Sequence, residues 1–138
     1  MNEYFGKLYK ITFSILCLSL LSSCATKNEQ QLLVYKINNE YFSLDKKCVE
    51  RVYLRENRPI FYLNDNVIIE LDNKKECVQQ FSKFITSNIG EQMEIRFKGV
   101  EIVPVTWIRS AMLFDNGMLS QAVTKREMAL EIVKGYAQ

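Results

Sequence analysis

The stretch 73-NKKECVQQFSKFITSNIGEQMEIRFKGVEIV-103 decides the fold, because it holds one complete helix followed by one complete hairpin. Val78, Phe81, Phe84 and Ile85 recur at helical spacing and make one apolar stripe. Asn73 with Glu76 three residues on has the form of a capping box, and Asn88-Ile89-Gly90 that of a helix end, with Gly90 suited to the left-handed position. The pattern predicts a helix over Lys74 to Asn88. The period then changes from helical to two. Met93, Ile95, Phe97, Val100 and Ile102 alternate with Glu94, Arg96 and Glu101 about a Lys98-Gly99 turn. A two-residue loop sets Phe97 opposite Val100, Arg96 opposite Glu101 and Ile95 opposite Ile102. That register puts the five apolar side chains on one face and an Arg96–Glu101 ion pair on the other.

Working outward, Gln31 to Ile37 and Tyr41 to Leu44 read as a hairpin about Asn38-Asn39. Leu44 to Arg55 fits either a short helical turn or a strand. Ile60 to Leu63 and Val67 to Leu71 read as a second hairpin about Asn64-Asp65-Asn66. Val105 to Ser110 is extended, Asp115-Asn116-Gly117 is a turn, and Met118 to Val123 is a last strand. Thr124 with Glu127 forms a second capping box. It opens a helix from Lys125 to about Lys134, with Met128, Ala129, Ile132, Val133 and Tyr136 on its apolar face. The expected class is α+β: an antiparallel sheet with two helices packed on one face.

The N-terminal region has a different character. Lys7 and Lys10 precede an apolar run from Ile11 to Leu21. As a helix that run spans about 16 Å, against about 30 Å for a bilayer core. It suits a signal peptide rather than a membrane span. Leu21-Ser22-Ser23-Cys24 resembles the bacterial lipobox. The resemblance implies cleavage of residues 1–23, a diacylglycerol on the Cys24 sulfur and an amino group open to acylation. Two or more chains anchor stably where one does not. Residues 24–31 read as the lipidated cysteine and a flexible tether, and 32–138 as the domain. Ala25 stands where an aspartate would retain enteric lipoproteins at the inner membrane. That resemblance implies the inner leaflet of the outer membrane, facing the periplasm. In a Gram-positive host the single membrane would hold the protein.

Cleavage before Cys24 leaves about 115 residues, enough for one modest core. The chain is 48% apolar and 25% charged, with a formal charge of +2. Such a balance offers no clustered basic face for nucleic acid. Of four cysteines, Cys17 leaves with the signal and Cys24 takes lipid. Cys48 and Cys77 remain, and in an oxidising compartment an even pair favours a disulfide over two buried thiols. Its loop is worth about 3.6 kcal/mol in the chain-entropy model.

Val67-Ile68-Ile69-Glu70-Leu71-Asp72, followed by Phe81-Ser82-Lys83-Phe84-Ile85-Thr86-Ser87-Asn88-Ile89-Gly90, resembles the periplasmic head of SecD, a subunit of the SecDF protein-export factor. In that family a strand ending in Leu-Asp precedes a helix that closes in Asn-Ile-Gly or Asn-Val-Gly. A hairpin follows, here Met93 to Val103, then an extended segment with Trp107-Ile108-Arg109, then a strand and a helix opening Thr124-Lys125-Arg126-Glu127. Order and spacing agree from Val67 to Tyr136. The resemblance implies the head fold and a habit of contacting other polypeptides. The family's heads lie between membrane-spanning helices, and no such helix is expected here after the signal. Its proton-driven work is therefore not implied.

The chain has no histidine, which removes the commonest general base and metal ligand. No GxSxG or glycine-rich phosphate loop occurs. Glu91 with Glu94, and Asp65 with Glu70 and Asp72, are the carboxylate groups to weigh, and they read more simply as solvated charges. The expectation is a non-catalytic module without cofactor or metal, held to the membrane by lipid and bound to an envelope or exported protein. An immunity or inhibitor lipoprotein directed at a periplasm-active toxin is the alternative, and a periplasmic hydrolase with a Ser-Lys or carboxylate pair is the third. Trp107 and Arg109 are the candidate docking residues, since Trp and Arg anchor interfaces, although core filling is the plainer role for a lone tryptophan. Tyr35, Tyr41, Tyr53, Phe61 and Tyr62 make the N-terminal half aromatic, and an open sheet edge could accept a peptide strand.

Overall fold

The structure, a computed structural model, describes residues 32–56, 64–110 and 117–137. The expected signal peptide 1–23, Cys24, the expected tether 24–31, the strand expected at Ile60 to Leu63, the segment Ala111 to Phe114 and the turn residues Asp115 and Asn116 lie outside the described residues.

The seven described strands are β1 (Leu33–Ile37), β2 (Glu40–Ser43), β3 (Val49–Leu54), β4 (Asp65–Leu71), β5 (Gln92–Phe97), β6 (Val100–Trp107) and β7 (Met118–Val123). The helices are α1 (Glu76–Ser87) and α2 (Arg126–Tyr136). All strand pairs are antiparallel, and the strands divide between two sheets, ordered β2-β1-β5-β6 and β3-β4-β7. The fold is α+β, with two sheets where the sequence pattern suggests one.

The first hairpin turns through Asn38, whose φ of 52° is one that asparagine tolerates. The ambiguous segment after it is both things in succession. A 3₁₀ turn at Lys46–Cys48 is capped by the Asp45 carboxylate, which accepts from the Lys47 N–H at 2.8 Å, and β3 follows at once. The expected turn at Asn64-Asp65-Asn66 is corrected. Asp65 and Asn66 belong to β4, opposite Val123 and Ala122, and β4 pairs with β3 and β7. As the central strand it is buried on both faces, which suits its Val-Ile-Ile run better than a half-exposed hairpin arm would.

Both helices form where their periodicity places them, but neither uses the expected cap. Lys75 occupies the N-cap of α1 with no side-chain bond. Asp72 organises the turn instead. Its carbonyl accepts from Lys75 N at 2.9 Å and its carboxylate from Lys74 N at 3.1 Å. The chain must reverse directly after β4, and an aspartate hydrogen-bonding two residues ahead does this one step before the helix starts. At α2 the N-cap is Lys125, and Thr124 is taken by tertiary structure. Its N–H and hydroxyl both donate to the Ile102 carbonyl, at 2.9 and 3.1 Å, tying the end of β7 to β6.

One core fills the space between these layers. Phe81 of α1 packs on Tyr35 of β1 and Phe42 of β2, with ring centroids 4.7 and 4.9 Å apart, while Ala129, Ile132 and Tyr136 of α2 are buried on the side of the three-stranded sheet. Two phenols reach across. The Tyr35 hydroxyl donates to Gln121 Oε1 of β7 at 3.2 Å, joining the sheets. The Tyr136 hydroxyl accepts from Leu33 N at 2.9 Å and donates to Leu44 O at 2.7 Å. Burial pushes both phenols well above the ordinary tyrosine value, so both stay protonated donors. The Cys48–Cys77 disulfide, with Cα atoms 6.1 Å apart, fastens the 3₁₀ turn to the first turn of α1.

Leu33 and Leu44 are fully buried, so removing the Tyr136 hydroxyl strands a backbone donor and an acceptor out of reach of water. Tyr136→Phe is expected to cost about 2–4 kcal/mol, read from urea unfolding of the oxidised protein.

Candidate functional site

The four-stranded sheet has one face in the core and one in solvent. Along β1, Leu33, Tyr35 and Ile37 point inward, so Val34 and Lys36 point outward. Register carries this outward set across the sheet. Lys36 lies opposite Tyr41 on one side and Glu94 on the other. Lys36 and Arg96 share the Glu94 carboxylate, the lysine at 3.9 Å, and the lysine also lies 5.6 Å from the centre of the Tyr41 ring. Arg96 is therefore drawn to its own strand and does not form the expected pair with Glu101, although the two stand opposite.

The outer edge of this face is made by β6, and β6 is irregular. Phe97 opposite Val100 and Arg96 opposite Glu101 match the expected register. Beyond them Ile95 faces Val103 rather than Ile102, and Met93 faces Thr106. Two extra residues have therefore entered β6, one at each register shift. The first shift sets Ile102 and Val103 against Ile95 on the core side. The second sets Pro104 and Val105 against Glu94. The strand then resumes, with Trp107 opposite Gln92 on the solvent face. Val105 is 48% exposed and Trp107 is 56% exposed, so the lone tryptophan does not fill the core. Val100, expected on the buried face, is also exposed, beside the turn, although Phe97 opposite it is fully buried.

The segment after β6 fixes what flanks Trp107. Ile108 is buried, and its N–H and C=O bond to Glu91 O at 3.0 Å and Gly90 N at 2.8 Å. With Ile108 turned in, Trp107 and Arg109 are left outward on either side of it, and Arg109 is exposed. The structure thus brings the two sequence candidates together and adds Lys36, Tyr41 and Val105 to their sheet face. Tyr35 is a core residue. The alternation in LVYKI could have identified Lys36 as outward. Plain alternation from Val100 also sets Val105 outward, and the two bulges together restore that phase. Those bulges and Pro104, which lacks an N–H, also blunt β6 as a template for strand addition.

A second concavity lies over the three-stranded sheet. It measures about 860 Å³ and is lined by Tyr53, Arg55, Glu56, Ile68, Met118 and Arg126 among others. Arg51 grips Glu70 beside it with two hydrogen bonds, 2.7 and 3.0 Å, and lies over the Tyr53 ring at 4.9 Å. The Arg51 guanidinium holds the Glu70 carboxyl below its usual range, and Glu70 holds Arg51 above its own. Asp65 pairs with Arg126 at 3.2 Å, and Asp72 lies 3.8 Å from Lys75. The carboxylates weighed in the sequence are thus each engaged with a separate partner. Among the described residues no three Cys, Asp or Glu side chains converge as a metal-binding group. No described helix is long and apolar enough to cross a membrane.

No protein-family model matches the chain, and no curated protein matches it. Among solved structures it is similar to that of SecDF, a membrane component that enhances protein export. The TM-score is 0.48 and the sequence identity 17%, over 67% of this chain and 39% of that one. The chain therefore spans well under half of that protein's length.

The Arg51–Glu70 pair gives a pH dependence of defined sign. Glu70 has its folded-state pKa below the ordinary 4.5, so its contribution is complete above that value and is lost as pH falls through the folded value. Melting temperatures of the wild type and Glu70→Gln should differ by a constant amount from neutrality down to about pH 5 and converge in more acid solution.

Proposed function

We propose that this chain is a membrane-tethered lipoprotein of the cell envelope and a non-catalytic protein-binding module, whose partner docks on the solvent face of the four-stranded sheet around Trp107. The lipobox-like Leu21-Ser22-Ser23-Cys24 supports the tether, and Ala25 supports the periplasmic side of the outer membrane. One observation carries the docking site. A tryptophan more than half exposed lies beside exposed Val105, on a face where Lys36, Glu94 and Arg96 offer both signs of charge. An exposed Trp with an apolar neighbour and a polar surround has the make-up of an interface anchor.

Orientation supports the same reading. Leu33 lies opposite Phe97 and Ile37 opposite Met93, so the tether enters at one end of β1 while Gln92 and Trp107 stand at the other. The strand separates the two by about 14 Å. A protein hung from Cys24 presents Trp107 away from its point of attachment.

Trp107→Ala is expected to weaken capture of the cognate protein from crosslinked envelopes by about 30-fold or more, the loss expected of an interface anchor. Met118→Ala, which alters an exposed side chain on the other sheet, is the matched control. Equal capture by the two variants would remove this face from the function. Cys24→Ser should abolish acyl labelling and shift the protein out of the membrane fraction.

A further inference from the structure

We propose that the outer edge of β2 is a docking edge for an extended polypeptide segment, which adds as a fifth, antiparallel strand to the four-stranded sheet. This edge lies three strands away from Trp107, about 14 Å, and stands apart from the docking face proposed above.

Main-chain hydrogen bonding defines what the edge offers. Leu44 N–H donates to Leu33 O at 2.9 Å, so Leu33 and Leu44 hold a hydrogen-bonded position of the β1–β2 ladder. Positions alternate along an antiparallel pair, and Tyr35 with Phe42 and Ile37 with Glu40 therefore bond in the same way. Tyr41 and Ser43 take the positions between, so their N–H and C=O groups point away from β1, off the sheet. Both residues are exposed, and among the described residues no hydrogen bond reaches these four groups. Two donors and two acceptors stand in line, the set that an added strand uses.

The other described edges are blunted where β2 is not. β6 carries two bulges and Pro104, β3 shifts register between Val49 and Arg51, and the end of β7 is tied to β6 through Thr124. The residues Glu40-Tyr41-Phe42-Ser43 pair in unbroken register and include no proline. Side chains define the occupant. Residues of the added strand opposite Tyr41 and Ser43 take the solvent face, and the one between them lies opposite Phe42 on the core face. Phe42 is half-buried, with its ring 5.8 Å from that of Phe84 on α1, also half-buried. An apolar side chain at that central position extends the core layer along α1, whereas a charged one would lose its water there. The occupant is an extended segment with apolar residues at alternate positions. Four main-chain hydrogen bonds at most hold it, so it binds weakly and leaves readily.

The test uses the mature-length chain with Cys24→Ser and a fluorescent six-residue peptide of alternating threonine and leucine. Polarisation is expected to saturate, and amide hydrogen exchange at Tyr41 and Ser43 should slow when the peptide is bound. With the leucines on the core face, the threonine nitrogens face β2. Methylating them should weaken binding about 30-fold, as two hydrogen bonds are lost, while methylating the leucine nitrogens should leave it within about twofold. Ser43→Pro, which removes one outward donor, should weaken binding about fivefold at an unchanged melting temperature. The exchange and methylation results do not depend on that variant folding. Trp107→Ala should bind the peptide as the wild type does, which separates this edge from the docking face. No saturable binding, equal effects of the two methylations, or unchanged exchange at Tyr41 and Ser43 would overturn the proposal. So would protection of the same two amides in the chain alone as its concentration rises, because the edge would then belong to a second copy.

Discussion

The phenol of Tyr136 holds the domain closed. It sits between the first residue of β1 and the residue that ends the first hairpin, taking a hydrogen from Leu33 N–H and giving its own to the Leu44 carbonyl. Leu44 N in turn donates to Leu33 O at 2.9 Å, so one side chain from the last turn of α2 completes a small ring of backbone hydrogen bonds. All of it is out of water, where such bonds are stronger and a missing partner is costly. The four-stranded sheet is thereby fixed to the helix that covers the three-stranded one. Tyr35 to Gln121 repeats the idea directly between the sheets, and Gln121 Nε2 finds the Ala122 carbonyl, leaving both its polar ends satisfied. The disulfide makes a third tie, from the approach to β3 to the start of α1. Two sheets that share no ladder behave as one body because these links cross the core between them.

Local signals in the sequence survive in the structure, and signals that needed a distant partner do not. The β5–β6 hairpin, the Asn38 turn, β7 and the buried stripes of both helices follow from patterns within a dozen residues, where period and turn chemistry suffice. Cys48 and Cys77 could be paired from the compartment expected for an exported chain. The failures share a cause. Asn64-Asp65-Asn66 has turn composition, yet Asp65 and Asn66 are claimed by β7, more than fifty residues away. Thr124 has the spacing of a cap, yet Ile102 takes its hydroxyl. The pairing of β1 with β5 leaves no mark in either strand, so the division into two sheets was not legible.

The candidate site shows the same divide at finer scale. Trp107 and Arg109 could be singled out as residue types, and strict alternation from Val100 puts both on the solvent face. Two insertions in β6 reverse the side chains between them, and because there are two the phase beyond them is restored. The bulges coincide with other constraints: Ile102, at the first, is where Thr124 docks, and Pro104, at the second, lacks the N–H a regular ladder would use. The irregularity therefore coincides with the tie between the two sheets and spoils an edge that would otherwise invite pairing with other chains.

The ring closed by Tyr136 has a consequence for how the chain comes to be folded. Leu33 and Tyr136 are 103 positions apart, and β1 finds its inner neighbour only at β5. A polypeptide emerging from its N-terminus thus carries an unfinished first hairpin until almost its whole length is available. Long-range closure of this kind slows folding, since the entropy of a large loop is lost before the contacts that compensate it form. Such a domain assembles late and cooperatively, with its last helix as the closing piece. Until then it remains an open thread, the form in which a polypeptide can still pass through a narrow channel.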